Sequence, residues 1–111
     1  MAFEGYEGDT GADPRPLVMV YGSRGCRPNA AAVKQWPELR RMRRAKLFMD
    51  KDRGMVGFTP VTVGGQSVSD GGQFSVAGLL GEMGVEIDGA RDLMRDGDGL
   101  FVFNVGGDDA D

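Results

Sequence analysis

The sequence predicts an α+β fold: one small domain, a duplicated β-α-β-β with mainly antiparallel strands and two short helices. Three observations predict it. The chain has 111 residues, the size of one domain rather than two. Short apolar runs rich in β-branched residues outnumber helix-length windows, of which there are two. The order strand, helix, hairpin occurs twice along the chain.

Residues 1–16 (MAFEGYEGDTGADPRP) carry glycine and proline breaks without apolar periodicity and are expected to form a disordered acidic tail. Residues 17–105 form the single α+β domain, with half-units at about 17–63 and 64–105. Leu17 to Tyr21 (LVMVY) is a buried strand. GSRGCRP reads as a turn. Asn29 is an N-cap candidate for a helix over Ala30 to Leu39, short or kinked near Trp36 because Pro37 falls inside it. Ala45 to Asp50 and Met55 to Val63, joined by DKDRG, make a hairpin. Pro60 places its stretch at an edge or a bulge.

The second half repeats this order. Ser67–Asp70 is a short strand or loop, and Ser75 is the second N-cap candidate. Val76 to Met83 is a helix stopped by Gly84. Ala90 to Arg95 is a weak strand, DGDG a tight turn, and Leu100 to Val105 the strongest strand. Residues 106–111 are an acidic tail. Shifted by 46, residues 23–52 align without a gap onto the second half, with six identities in thirty: Ser23 with Ser69, Gly25 with Gly71, Ala31 with Ala77, Leu47 with Leu93, Asp50 with Asp96 and Asp52 with Asp98. Such a unit cannot bury its apolar face alone, so two would share one core. Trp36, Met42, Met49, Phe58, Phe74, Phe101 and Phe103 are its expected members.

Composition excludes several chemistries. Glycine contributes 19 residues, against a usual share near 7%. Leu, Ile, Val and Phe together make 25 of 111, just above the level of about 20% below which chains do not fold. One cysteine and no histidine rule out an internal disulfide, the usual zinc sites and histidine-based triads. No apolar run approaches the ~18 residues of a membrane span, and no signal peptide is expected from residues 1–16. A cytoplasmic setting is expected, with no cofactor, metal or membrane. Asp50, Asp52, Asp96 and Asp98 could pair as cation ligands, yet neither DxD carries the rest of a calcium loop, and Asp is what turns favour.

Charge is divided. The net charge is −4, but residues 24–53 hold ten Lys/Arg against Glu38, Asp50 and Asp52, whereas residues 54–105 hold Arg91 and Arg95 against seven acids. The densest basic group is LRRMRRAK, with Arg40, Arg41, Arg43, Arg44 and Lys46. Five basic residues in seven exceed what a helix C-terminus needs and suit contacts to phosphates.

Cys26, in VMVYGSRGCRPN, follows a strand and precedes a helix. Arg24, Arg27 and the helix N-terminus would lower its thiol pKa. This segment, with Thr59-Pro60-Val61 and Gly71-Gly72, resembles the glutaredoxin-like thiol-disulfide family. Asn29 stands where that family's second cysteine would be, so the resemblance implies a monothiol protein using Cys26. From Ala45 to Val105 the chain resembles a family of small proteins of unassigned function. Their LxxDxxxxxxGxxP hairpin matches Leu47, Asp50, Gly57 and Pro60, and their later helix matches Ser75, Ala77 and Leu80. The repeated helix-then-hairpin unit is similar to the AbrB/MazE-like swapped-hairpin proteins. That resemblance implies DNA binding by a transcriptional regulator or antitoxin-type module.

The expected function is thus a non-enzymatic nucleic-acid-binding regulator with Arg40, Arg41, Arg43, Arg44 and Lys46 as phosphate contacts. One alternative is a structural or assembly protein of a virus or mobile element, whose oppositely charged halves attract one another head to tail between copies. The other is the monothiol protein.

Overall fold

The structure, a computed structural model, describes residues 15–22, 25–97 and 99–106. The two tails beyond these limits, with Ser23, Arg24 and Asp98, lie outside the described residues.

Among the described residues, eight strands and two short helices follow in the order β1 (Leu17–Tyr21), β2 (Cys26–Pro28), α1 (Ala30–Gln35), a 3₁₀ turn at Pro37–Leu39, β3 (Arg44–Asp50), β4 (Met55–Val61), β5 (Gln66–Ser67), α2 (Ala77–Met83), β6 (Asp88–Asp92), β7 (Met94–Asp96) and β8 (Leu100–Asn104). They make two antiparallel sheets, one of three strands in the order β2-β1-β6 and one of five in the order β5-β3-β4-β8-β7. The α+β class with antiparallel strands and two short helices is therefore observed.

Local chemistry explains the elements that behave as expected. The Asn29 side chain accepts from Ala32 N at 2.8 Å and from Leu17 N at 3.0 Å, so one residue caps α1 and ties it to β1. Pro37 cannot donate, and α1 ends at Gln35 before the 3₁₀ turn takes over. Gly84, in the left-handed region at φ 72°, closes α2. Pro60 lies beyond the last β4–β8 pair, Phe58 with Phe101, where β4 has β3 alone beside it.

Four expectations need correction. GSRGCRP is not wholly a turn, because Cys26–Pro28 pairs with β1 as a third strand. Ser75 is not the cap residue of α2. Val76 holds that position, although Ser75 Oγ still accepts from Ala77 N at 3.3 Å. The segment 90–95 is not one strand: Asp88–Asp92 joins the three-stranded sheet and Met94–Asp96 the five-stranded one. Leu93 between them turns its side chain into the core, only 3% exposed, while its N–H bonds the Pro16 carbonyl. Met49 is not core: it is 42% exposed, although its neighbour across β4, Val56, is fully buried.

The core lies on the inner face of the larger sheet, where Ala45, Val56, Phe58, Phe101 and Phe103 are fully buried. Phe58 is its hub, with ring centroids 4.9 Å from Phe74, 5.5 Å from Phe101 and 6.5 Å from Phe103. Trp36 from the first helical segment closes over Phe101 at 5.2 Å.

Candidate functional site

The basic segment is presented by an apolar ratchet. Leu39, Met42 and Ala45, three residues apart, are all buried. Backbone bonds from Arg40 N to Pro37 O and from Val68 N to Arg43 O hold the chain between them. Arg40, Arg41 and Arg43 are consequently thrown outward and exposed. None of the three has an ion pair among the described residues. Glu38, the acid beside them in sequence, is instead bridged by Arg95 at 3.5 Å. Arg41 and Arg43 line an open groove with Glu38, Met42 and the run Pro60 to Val63, so one carboxylate, the one bridged by Arg95, shares that groove.

The other two basic residues are placed differently. Arg44 is a clamp: Nε donates to Gly64 O at 2.5 Å, Nη2 to Gly65 O at 3.1 Å and Nη1 to Ser67 Oγ at 3.4 Å. Its guanidinium fastens the turn between β4 and β5. Lys46 stands on the open face of β3 with its ammonium 5.6 Å from the Phe48 ring centroid. The five residues thus divide into three outward arginines, one structural arginine and one lysine on the sheet.

Cys26 is fully buried in β2. It exchanges backbone bonds with Phe74, N to O at 2.8 Å and O to N at 3.0 Å. Gly25 lies so close to this joint that a Cβ there would strike the Phe74 carbonyl. Burial pushes the thiol up to about 12, the reverse of the expected lowering, because desolvation of a thiolate outweighs any help from a helix that starts four residues later.

Asp50 closes its own turn. Its carboxylate accepts from Arg53 N at 3.2 Å and from Arg53 Nε at 2.7 Å, which holds it below the usual carboxylate range. No group of three or more His, Cys, Asp or Glu gathers as metal ligands among the described residues. No helix among them is long and apolar enough to cross a membrane.

Two features escaped the sequence reading. The sequence predicts strand along the groove wall from Pro60 to Val63, but β4 ends at Val61 and Val63 is 83% exposed. The alternation of Phe48, Met94 and Val102 marks an outer sheet face, and period 2 alone does not reveal that Phe48 and Met94 stay exposed there among the described residues.

No protein-family model matches the chain, and neither a curated protein nor a solved structure is significantly similar to it.

Proposed function

We propose that the chain is a non-enzymatic nucleic-acid-binding regulator that contacts phosphates through Arg40, Arg41 and Arg43. One observation carries this: three adjacent guanidinium groups project from a backbone pinned by Leu39, Met42 and Ala45, with no carboxylate paired to them among the described residues. Ordinary surface arginines find local acids or stay on mobile stems. Three arginines on a pinned backbone, unpaired among the described residues and two of them lining an open groove, suit a polyanion. Arg44 serves by shaping the turn, and Lys46 stands apart from the trio on the sheet face with Phe48.

The AbrB-like reading with two half-units has its own support in the strand pairing. β1 of the first half pairs with β6 of the second, and β5 of the second half pairs with β3 of the first. The two hairpins meet through β4 and β8, where Val56 faces Phe103 and Gly57 faces Val102. Those separations bracket the 46-residue shift seen in the sequence.

The test is binding of the full chain to random duplex DNA across a salt series. Binding should weaken as salt rises. Replacing Arg40, Arg41 and Arg43 by Gln should flatten the log–log slope by about 2.7, at ~0.9 per lost phosphate contact. A triple variant with unchanged affinity and slope sinks the assignment.

A further inference from the structure

We propose that the outer face of the five-stranded sheet is a self-association surface, on which a second copy packs about a twofold axis parallel to the strands. The face is defined by register. Phe48 faces Gly57, Gly57 faces Val102 and Val102 faces Met94, so one row crosses β3, β4, β8 and β7. Phe48 is 41% and Met94 47% exposed, among the few large apolar side chains left in solvent. In the centre Gly57 has no side chain of its own, and the half-buried Leu100 and Val102 close over it to form the apolar middle of the face.

The adjacent row selects the occupant. Lys46 faces Thr59 on β4, and Leu100 faces Asp96 on β7. Thr59 Oγ1 donates to the Gly99 carbonyl at 2.8 Å, which joins these two halves of the row one step past the last β4–β8 pair. The row is therefore positive at one end and negative at the other. Neither charge has an ion pair among the described residues, although Asp96 is felt by Arg53, itself bonded to Asp50. A twofold axis parallel to the strands sets β3 over the partner copy's β7. Lys46 then meets Asp96 twice, and Phe48 meets Met94 twice, an aromatic–thioether contact. An axis across the strands would set β3 over β3 and bring like charges together. This packing is isologous and closed, unlike the head-to-tail attraction of charged halves.

Four strands about 4.8 Å apart, measured along the five residues of β8 at about 3.4 Å each, give a face of roughly 19 by 17 Å. That is well under the ~800 Å² per partner of a standard interface, so the dimer is weak and concentration-dependent.

The experiment is sedimentation of the full chain, free of nucleic acid, from micromolar to millimolar concentration. Wild type should dimerise reversibly. Lys46→Asp and Asp96→Lys should each weaken it more than about tenfold, because each sets like charges together twice. Mixed one to one, these two variants should form a heterodimer, since both contacts are then attractive. Phe48→Glu should stay monomeric with an unchanged circular dichroism spectrum. A wild type monomeric throughout, a dimer indifferent to both reversals, or a mixture that does not associate overturns the proposal. None of these results bears on the nucleic-acid reading, which is tested with DNA.

Discussion

The two faces of the five-stranded sheet share strands, register and many residue types, yet they live in different solvents. On the inner face Val56, Phe58, Phe101 and Phe103 are fully buried. On the outer face Phe48 and Met94 are nearly half exposed. Hydrophobicity alone does not separate Phe58 from Phe48. What separates them is whether another element is available to cover that side. The helical segments and the three-stranded sheet are spent on one side, and Phe48 and Met94 stay exposed on the other.

The largest test of this contrast is a matched pair of truncations. Phe58→Ala removes the hub of four stacked or tilted rings and should cost about 3–5 kcal/mol. For a small domain of total stability about 5–15 kcal/mol, that approaches unfolding. Phe48→Ala, on the neighbouring strand but the other face, should cost less than about 1 kcal/mol. Urea denaturation at concentrations too low for dimers checks both, and equal losses would erase the distinction between the faces.

The buried side is also intolerant of charge, and Cys26 reports it. Its folded pKa is raised to about 12 from an ordinary value of 9.0. The unfolded chain therefore loses the thiol proton at lower pH than the folded one. This contribution to stability is complete below pH 9 and declines as pH rises toward 12. The slope approaches 1.4 kcal/mol per pH unit at its steepest, so roughly 2 kcal/mol is lost by pH 10.5. Cys26→Ala should abolish that slope while lowering stability at neutral pH through the small cavity it leaves. Parallel alkaline stability curves for the two proteins would show that the thiol is not sealed in the core.

How much of this was legible depended on how local the cause is. β1 was readable to the residue because five apolar positions in a row need no partner to be recognised. The Asn29 cap, the break at Pro37 and the stop at Gly84 were equally readable, each resting on one residue's own chemistry. β2 was not, because Cys-Arg-Pro becomes a strand only when β1 and Phe74 arrive beside it. Nor was the switch of sheets at Leu93, which the tertiary core imposes. The candidate site divides in the same way. The outward throw of Arg40, Arg41 and Arg43 is implicit in the spacing of Leu39, Met42 and Ala45. The clamp made by Arg44 depends on carbonyls of Gly64 and Gly65, twenty residues on, and nothing near Arg44 announces it.

The smallest effect sharpens the contrast most finely, because it adds atoms rather than removing them. A Cβ at Gly57 would meet Leu100 Cδ1 at 3.1 Å and Val102 Cγ1 at 3.4 Å. Both are ends of side chains on the uncovered face, free to give by a few tenths of an ångström. Gly57 also has no positive φ, so alanine adopts its backbone without strain, and the unfolded chain loses freedom. Gly57→Ala should leave stability within about 0.5 kcal/mol of wild type, or raise it. Gly25→Ala is the control on the covered side, where the Phe74 carbonyl cannot retreat and φ is +109°. It should cost at least about 1–3 kcal/mol. Thermal melts of the two variants against wild type decide it. A Gly57→Ala protein as damaged as Gly25→Ala would mean that the outer face is packed after all.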